Sequence, residues 1–244
     1  MRMRIFIFSV LLPFSAAAGF GADPYQDFPV YVTADSLKPF AKDLGGLLGS
    51  ALYTTARSIG FSGFDLGFRG AVQFEPSPDN EILKKSKVKA FWFPWVQAEI
   101  GMPFRLDGFI RGFNYQGLTV SGGGLRWGIT KVNDMPYKVQ VMLVGAGHAA
   151  VHRSFSITHF NGSVVCSYRF PKIVSYAGMG FDRTNLVVKE APAGSGLAGG
   201  TVSVLEPRFT LGVNIKPAQF VYLALAGNLV HGQPAFESSI GIRF

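Results

Sequence analysis

From about residue 60 to the last residue, apolar side chains recur at every second position, and no other feature of the chain restricts its fold so tightly. Phe64, Leu66, Phe68, Val72 and Phe74 alternate with Asp65, Gly67, Arg69, Ala71 and Gln73. The pattern returns in Leu205, Phe209, Leu211, Val213 and Ile215 against Glu206, Arg208, Thr210, Gly212 and Asn214, and again in Phe236, Ile240, Ile242 and Phe244 against Glu237, Ser239, Gly241 and Arg243. A period of two belongs to a strand with one apolar face. Such runs occur at 64–74, 88–101, 104–114, 118–130, 137–148, 155–170, 173–183, 205–215, 219–230 and 236–244, an even number.

The connections alternate as well. Short turns fall at 102–103, 132–136, 171–172 and 216–218, and longer loops at 75–87 and 184–200. An even number of antiparallel strands, short turns on one side and longer loops on the other describe a barrel that spans a membrane, because lipid cannot satisfy free backbone groups and the sheet must close on itself. Composition agrees. The chain is 48% apolar with only 16% charged residues, yet past residue 20 it has no run of about 20 apolar residues such as a spanning helix needs. Its 30 glycines and 23 phenylalanines suit a crowded interior and a lipid-facing exterior.

The first residues supply the compartment. Met1-Arg2-Met3-Arg4, the apolar stretch Ile5–Phe14 and Ala16-Ala17-Ala18 have the form of a signal peptide cut after Ala18. No cysteine follows the cut, which excludes a lipoprotein, and the single Cys166 excludes an intrachain disulfide framework or a cysteine-based zinc site. The remaining 21 basic and 15 acidic residues are scattered, so nucleic acid is not an expected partner. Residues 19–34 read as an extended lead-in. From Ser36 to about Arg57, Leu37, Phe40, Leu44, Leu47, Leu48, Ala51 and Leu52 fall at helical spacing, with Ser36 as cap and Gly45, Gly46 and Gly49 available for close packing. The organisation is therefore a signal peptide at 1–18, an extension with an amphipathic helix at 19–59, and a closed antiparallel transmembrane β-barrel of about ten strands at 60–244. The mature N-terminus is expected on the side of the short turns.

The terminal Phe244, with Ile242 and Ile240 at alternate positions before it, resembles the C-terminal recognition strand of Gram-negative outer-membrane proteins. That resemblance implies the barrel-assembly machinery as a partner during biogenesis and the cell outer membrane as the location. The helix followed by Tyr53-Thr54-Thr55-Ala56 and Gly63-Phe64-Asp65-Leu66-Gly67, with Tyr176-Ala177-Gly178-Met179-Gly180 later, resembles an uncharacterised family of outer-membrane barrels with a helical N-terminal segment. This second resemblance implies no activity.

Parity assigns the lumen. Asp65, Arg69, Glu99, Arg126, Lys138, Arg169, Glu206, Arg208, Glu237 and Arg243 face inward, either as a self-compensating ion-pair network or as an anion-preferring path. The second option needs the helix to lie outside. Phe91, Phe93 and Trp95 share the inward parity and would form an apolar wall for the helix or a site for a small hydrophobic solute. The helix is expected to plug or lid the barrel. Lys84, Lys85, Lys87 and Lys89 would meet lipopolysaccharide phosphates at the outer end, beside outer-membrane lipid. His148, His152 and Asp182 are the candidates for a hydrolase at the outer rim, with His159 and His231 also near loops, but no nucleophile elbow, H-E-x-x-H, phosphate-loop or EF-hand pattern occurs. The expected function is a non-enzymatic, porin-like barrel without cofactor or metal, structural or passing a small solute through a mostly occluded lumen; the alternative is a surface-binding barrel acting through its outer loops.

Overall fold

The computed structural model describes residues 23–244, so the expected signal peptide at 1–18 lies outside the described residues. Ten strands, β1 Phe64–Gln73, β2 Phe91–Gly101, β3 Leu106–Tyr115, β4 Leu118–Gly128, β5 Val139–Val151, β6 Phe155–Arg169, β7 Ile173–Val188, β8 Thr201–Ile215, β9 Val221–Val230 and β10 Gln233–Arg243, form one closed barrel. Every neighbouring pair is antiparallel, and β1 closes the ring on β10 with Leu66 opposite Ile242 and Phe68 opposite Ile240. Among the described residues three α-helices precede or interrupt the barrel: α1 Phe28–Tyr31, α2 Ala34–Leu48 and α3 Glu81–Lys85.

The wall changes character along its length. Toward the turn end, large apolar side chains point outward and are exposed, among them Leu205, Phe209, Leu211, Val213 and Ile215 of β8. At about 3.3 Å per residue this stretch covers about 33 Å of strand, or about 25 Å of bilayer at the usual tilt. Toward the loop end the pattern inverts. Leu118, Val120, Phe155, Ile157, Leu186 and Val188 point inward and are buried, while Thr119, Ser121, Thr158 and Arg183 face out. Among the outward positions of the strands, Arg183 is the one charged residue, and it stands where the two tiers meet. The turn-end tier is a membrane-spanning wall around a polar interior. The loop-end tier has the apolar interior of a water-soluble fold.

The inversion explains where the sequence reading fell short. Strand β7 runs on to Val188 and β8 starts at Thr201, so the loop expected at 184–200 is only 189–200. The expected lead-in at 19–34 is not simply extended, since α1 lies within it, and α2 begins two residues before Ser36. Its N-cap is Thr33, whose hydroxyl accepts from the Ser36 amide while the Ser36 hydroxyl accepts from the Thr33 amide, a reciprocal capping box.

The helix also ends earlier than expected, at Leu48 rather than about Arg57. Residues 49–59 continue as a non-helical strand of chain inside the lumen. Thr54 gives its carbonyl to the Asn214 amide group at 3.2 Å, and the Ile59 amide donates to Asp107 at 3.0 Å near the turn end. Residues 23–33 sit at the loop end, where Asp23 meets His152. From Asp23 onward the extension therefore runs from the loop end through the whole barrel, while the expected mature N-terminus at residue 19 lies outside the described residues.

Candidate functional site

The lumen is where the strands gather their charged and aromatic side chains, and α2 fills its loop half. Leu37, Phe40, Leu44, Leu47 and Leu48 are buried against the inward side chains of the wall, including Phe91, Phe93, Trp95 and Phe155. Each such burial contributes about 1.5–3 kcal/mol. Phe28, Phe40 and Phe155 pack in tilted and edge-to-face contacts with centroids 5.0–5.1 Å apart. The three strand-two aromatics thus form the apolar wall for the helix. Gly45 and Gly49 make the close fit feasible: a Cβ on Gly45 would lie 2.1 Å from Thr184 Oγ1, and one on Gly49 would lie 2.5 Å from Asp182 Oδ1.

Below the helix, charged side chains of the wall grip its end. Arg111 donates to the carbonyls of Leu48 and of Ser50, the latter at 2.7 Å, and Arg208 donates to the Gly46 carbonyl and to Ser50 Oγ. Arg69 donates to the Ala51 carbonyl at 2.8 Å, while the Ala51 amide donates to Glu237 at 2.6 Å. The last turn of any helix carries unsatisfied carbonyls and a partial negative charge. Guanidinium groups placed there satisfy both. They also hold Ala51 in a left-handed conformation, φ 55°, at the point where the chain leaves the helix.

The same residues pair with one another. Glu99 lies between Arg69 and Arg126, Asp65 receives Arg243 at 2.7 Å, and Asp182 receives Arg208 at 2.8 Å. Five buried carboxylates (Asp65, Glu99, Asp107, Asp182, Glu237) face five guanidiniums (Arg69, Arg111, Arg126, Arg208, Arg243). The interior is thus a self-compensating network and a socket for the plug, with no excess of positive charge to draw anions. Two residues assigned inward by parity lie outside it. Arg169 sits at the turn-end mouth on Asp134, 3.0 Å away, and Lys138 is exposed in the turn before β5. Glu206 faces α2 and pairs with Lys42 at 2.7 Å.

The histidines are not a rim site. His148 and His159 are cross-strand partners deep in the lumen, their rings 5.6 Å apart. His148 Nε2 accepts from Arg111 Nε at 2.8 Å; His159 Nδ1 meets Thr184 Oγ1 at 3.0 Å, with Asp182 3.4 Å from its other nitrogen. Gly49 of the plug lies against His159. His152 is at the rim but is closed in by Tyr25 and Phe155 and bonded to Asp23. Among the described residues, no group of three His, Cys, Asp or Glu side chains is placed to hold a metal ion.

A latch at the loop end went unread in the sequence. Asp43, wholly buried on the plug helix, accepts from Gln73 Nε2 at 2.9 Å, from the Ser77 amide at 2.9 Å and hydroxyl, and from Asn80 Nδ2 at 2.6 Å, with His231 Nε2 3.3 Å away. Burial holds His231 below the ordinary histidine range. The clue was available: Asp43 stands between Phe40 and Leu47 on the apolar face, where a lone carboxylate must find donors. Asp43→Ala is expected to cost about 2–4 kcal/mol, since hydrogen bonds to a charged group contribute about 1.5–3 kcal/mol each and several donors lose their acceptor. The check is limited proteolysis, which should cut within 74–90 in the variant and spare the parent chain.

No family model matches the chain, and no curated protein matches it in sequence. Among solved structures, a de novo designed transmembrane β-barrel is similar at 11% identity over 75% of this chain and 97% of that one, with a TM-score of 0.31. Neisserial surface protein A is similar at 10% identity over 74% and 95%, with a TM-score of 0.32. A loop-deletion form of OmpT, an outer membrane protein of Vibrio cholerae, is similar at 13% identity over 62% and 59%, with a TM-score of 0.27. At such scores the likeness carries no argument about role.

Proposed function

We propose that this chain is a non-enzymatic outer-membrane barrel whose lumen is kept shut by its own N-terminal segment, so that it serves as a membrane-embedded platform and not as an open pore. The observation that carries the reading is the threading of residues 34–59 through the barrel, with its backbone held by Arg69, Arg111, Arg208 and Glu237. A segment bonded in this way leaves no path for a small hydrophobic or anionic solute past the aromatic wall and the ion-pair network. The exposed apolar band of the turn-end tier supports the membrane location, and Phe244, Ile242 and Ile240, all outward and exposed, supply the lipid-facing seam that the assembly machinery would read.

Short turns face the periplasm in barrels of this kind. On that orientation the N-terminal segment, the loops 74–90 and 189–200 and the tier with a soluble-type core stand on the outer side. A second reading, surface binding through these loops, follows from that tier. Lys87 and Lys89 are exposed there; Lys84 donates to the Pro78 carbonyl and Lys85 pairs with Glu81, so all four lysines lie on one ordered loop able to meet lipopolysaccharide phosphates. The test of the main reading is planar-bilayer recording of the intact chain. No channel steps are expected; sustained conductance with the segment in place would sink the proposal.

A further inference from the structure

Arg183 stands apart from the ion-pair network inside the barrel. Its neighbours on β7, Asp182 and Thr184, are both buried in the lumen, so its own side chain leaves the outer surface and is exposed. Register places Phe160 of β6 on one side of it and Leu205 of β8 on the other, with Phe181 next toward the turn end. All three are exposed apolar side chains. Among the described residues the Arg183 guanidinium has no hydrogen-bond or ion-pair partner.

Toward the loop end the outer wall turns polar at once. Thr158 of β6, Asn185 of β7 and Ser203 of β8 are cross-strand partners in one row, and Ser156 and Thr201 flank Val187 in the next. The side chains of the first row likewise have no partner among the described residues. Adjacent strands lie about 4.8 Å apart, so three strands give a row about 10 Å wide, the width of a disaccharide. One step of two residues, about 6.6 Å, separates that row from Arg183. Toward the turn end, Phe181, Met179 and Phe209 continue the apolar surface down the wall. The outer face of β6–β8 therefore presents, in order, hydroxyl and amide groups, one guanidinium, and apolar side chains.

We propose that this face binds a lipopolysaccharide molecule of the outer leaflet, with a phosphate on Arg183, the sugar head against Thr158, Asn185 and Ser203, and an acyl chain down Phe181 and Met179. The inference rests on the membrane reading and the orientation given above. An arginine at the edge of an apolar surface lays its stem along that surface and keeps its head in the polar layer. There the guanidinium offers a phosphate two parallel charge-assisted bonds. A glycerophospholipid supplies a phosphate and a chain but no sugar for the polar row. The site is separate from the lysine loop, because β1 and β2, which carry that loop, stand four and five strands from β7 around the ring.

The test uses the full chain refolded into phosphatidylcholine vesicles that contain equal minor amounts of lipid A, its dephosphorylated form and phosphatidylglycerol. Insertion is scored first, by the heat-sensitive gel mobility of a closed barrel, and the lipid retained after mild detergent extraction is then measured by mass spectrometry. Lipid A should be retained about fivefold over its dephosphorylated form, the preference that one basic side chain near a membrane surface supplies, and should also exceed phosphatidylglycerol. Arg183→Gln should abolish the preference for phosphate and leave insertion unchanged, since the side chain has no partner among the described residues to lose. Thr158→Ala/Ser203→Ala should bring lipid A down to the level of phosphatidylglycerol while the preference for phosphate persists. The loop variant K84Q/K85Q/K87Q/K89Q should change neither ratio. Equal retention of the two forms of lipid A, phosphatidylglycerol retained as well as lipid A by the parent chain, a preference that survives Arg183→Gln, or one lost in the loop variant would overturn the proposal. A chain that inserts into no vesicle would overturn the membrane reading itself.

Discussion

Deleting residues 34–57 is expected to convert a silent barrel into a conducting one. In the intact chain the loop half of the lumen is filled by Leu37, Phe40, Leu44, Leu47 and Leu48, and the remainder by the non-helical stretch from Gly49 onward. Removing both strips Arg69, Arg111 and Arg208 of their carbonyl partners and Glu237 of the Ala51 amide. Each of these groups then requires water, since a buried polar group without a partner costs about 1–3 kcal/mol or more. The lumen must flood. Discrete current steps are the expected result in planar bilayers. The variant Gly45→Leu/Gly49→Leu keeps the chain length and blocks seating of the helix, through clashes with Thr184 and Asp182; it should conduct as well. A deletion variant that retains heat-sensitive mobility yet passes no current would show that the segment is not what closes the barrel.

Glu99→Ala is expected to destabilise the barrel by about 3–5 kcal/mol, the usual cost of removing one member of a buried ion pair. Glu99 lies on the inner wall of β2 between Arg69 and Arg126 and also accepts from Gln97 Nε2 at 2.6 Å. Its loss leaves two buried guanidiniums beside Arg243, with Asp65 near Arg69 and Asp107 opposite Arg126 as the remaining carboxylates. Urea titration of the refolded protein in detergent is the measurement. The double variant Glu99→Ala/Arg126→Met should recover part of the loss, because the second change removes the charge that the first one stranded. A single-variant loss under about 1 kcal/mol would mean that the network is hydrated and that its charges are not coupled.

The alternation of apolar and polar residues was enough to place ten strands in order and to say which face met lipid, and β1 and β6 lie within a residue of the expected ends. It worked because lipid imposes the same rule on every strand. The errors at β7 and β8 have one source. Above Arg183 the outside is wet and the inside is apolar, so Leu186, Val188 and Val204 follow the opposite parity in polarity although their geometry is unchanged. Arg111 and Asp107 had the same signal as Arg69 and Glu99, a charged residue on the inward parity of a strand, and were legible in principle. His148 and His159 were not placed, since parity says which face a residue takes but not how deep it sits.

The sequence by itself determined the strand count, the lipid-facing side and the presence of an apolar helix that needed an apolar partner, because each is a local periodicity set by backbone geometry. Only the tertiary structure decided where that helix goes. Its C-terminal carbonyls are met by Arg111 on β3 and Arg208 on β8, its Asp43 by side chains from β1 and the loop after it, and its glycines by β6 and β7. Those partners lie up to 162 residues away along the chain. They converge because the sheet closes, and closure is a property of all ten strands together that no single segment encodes.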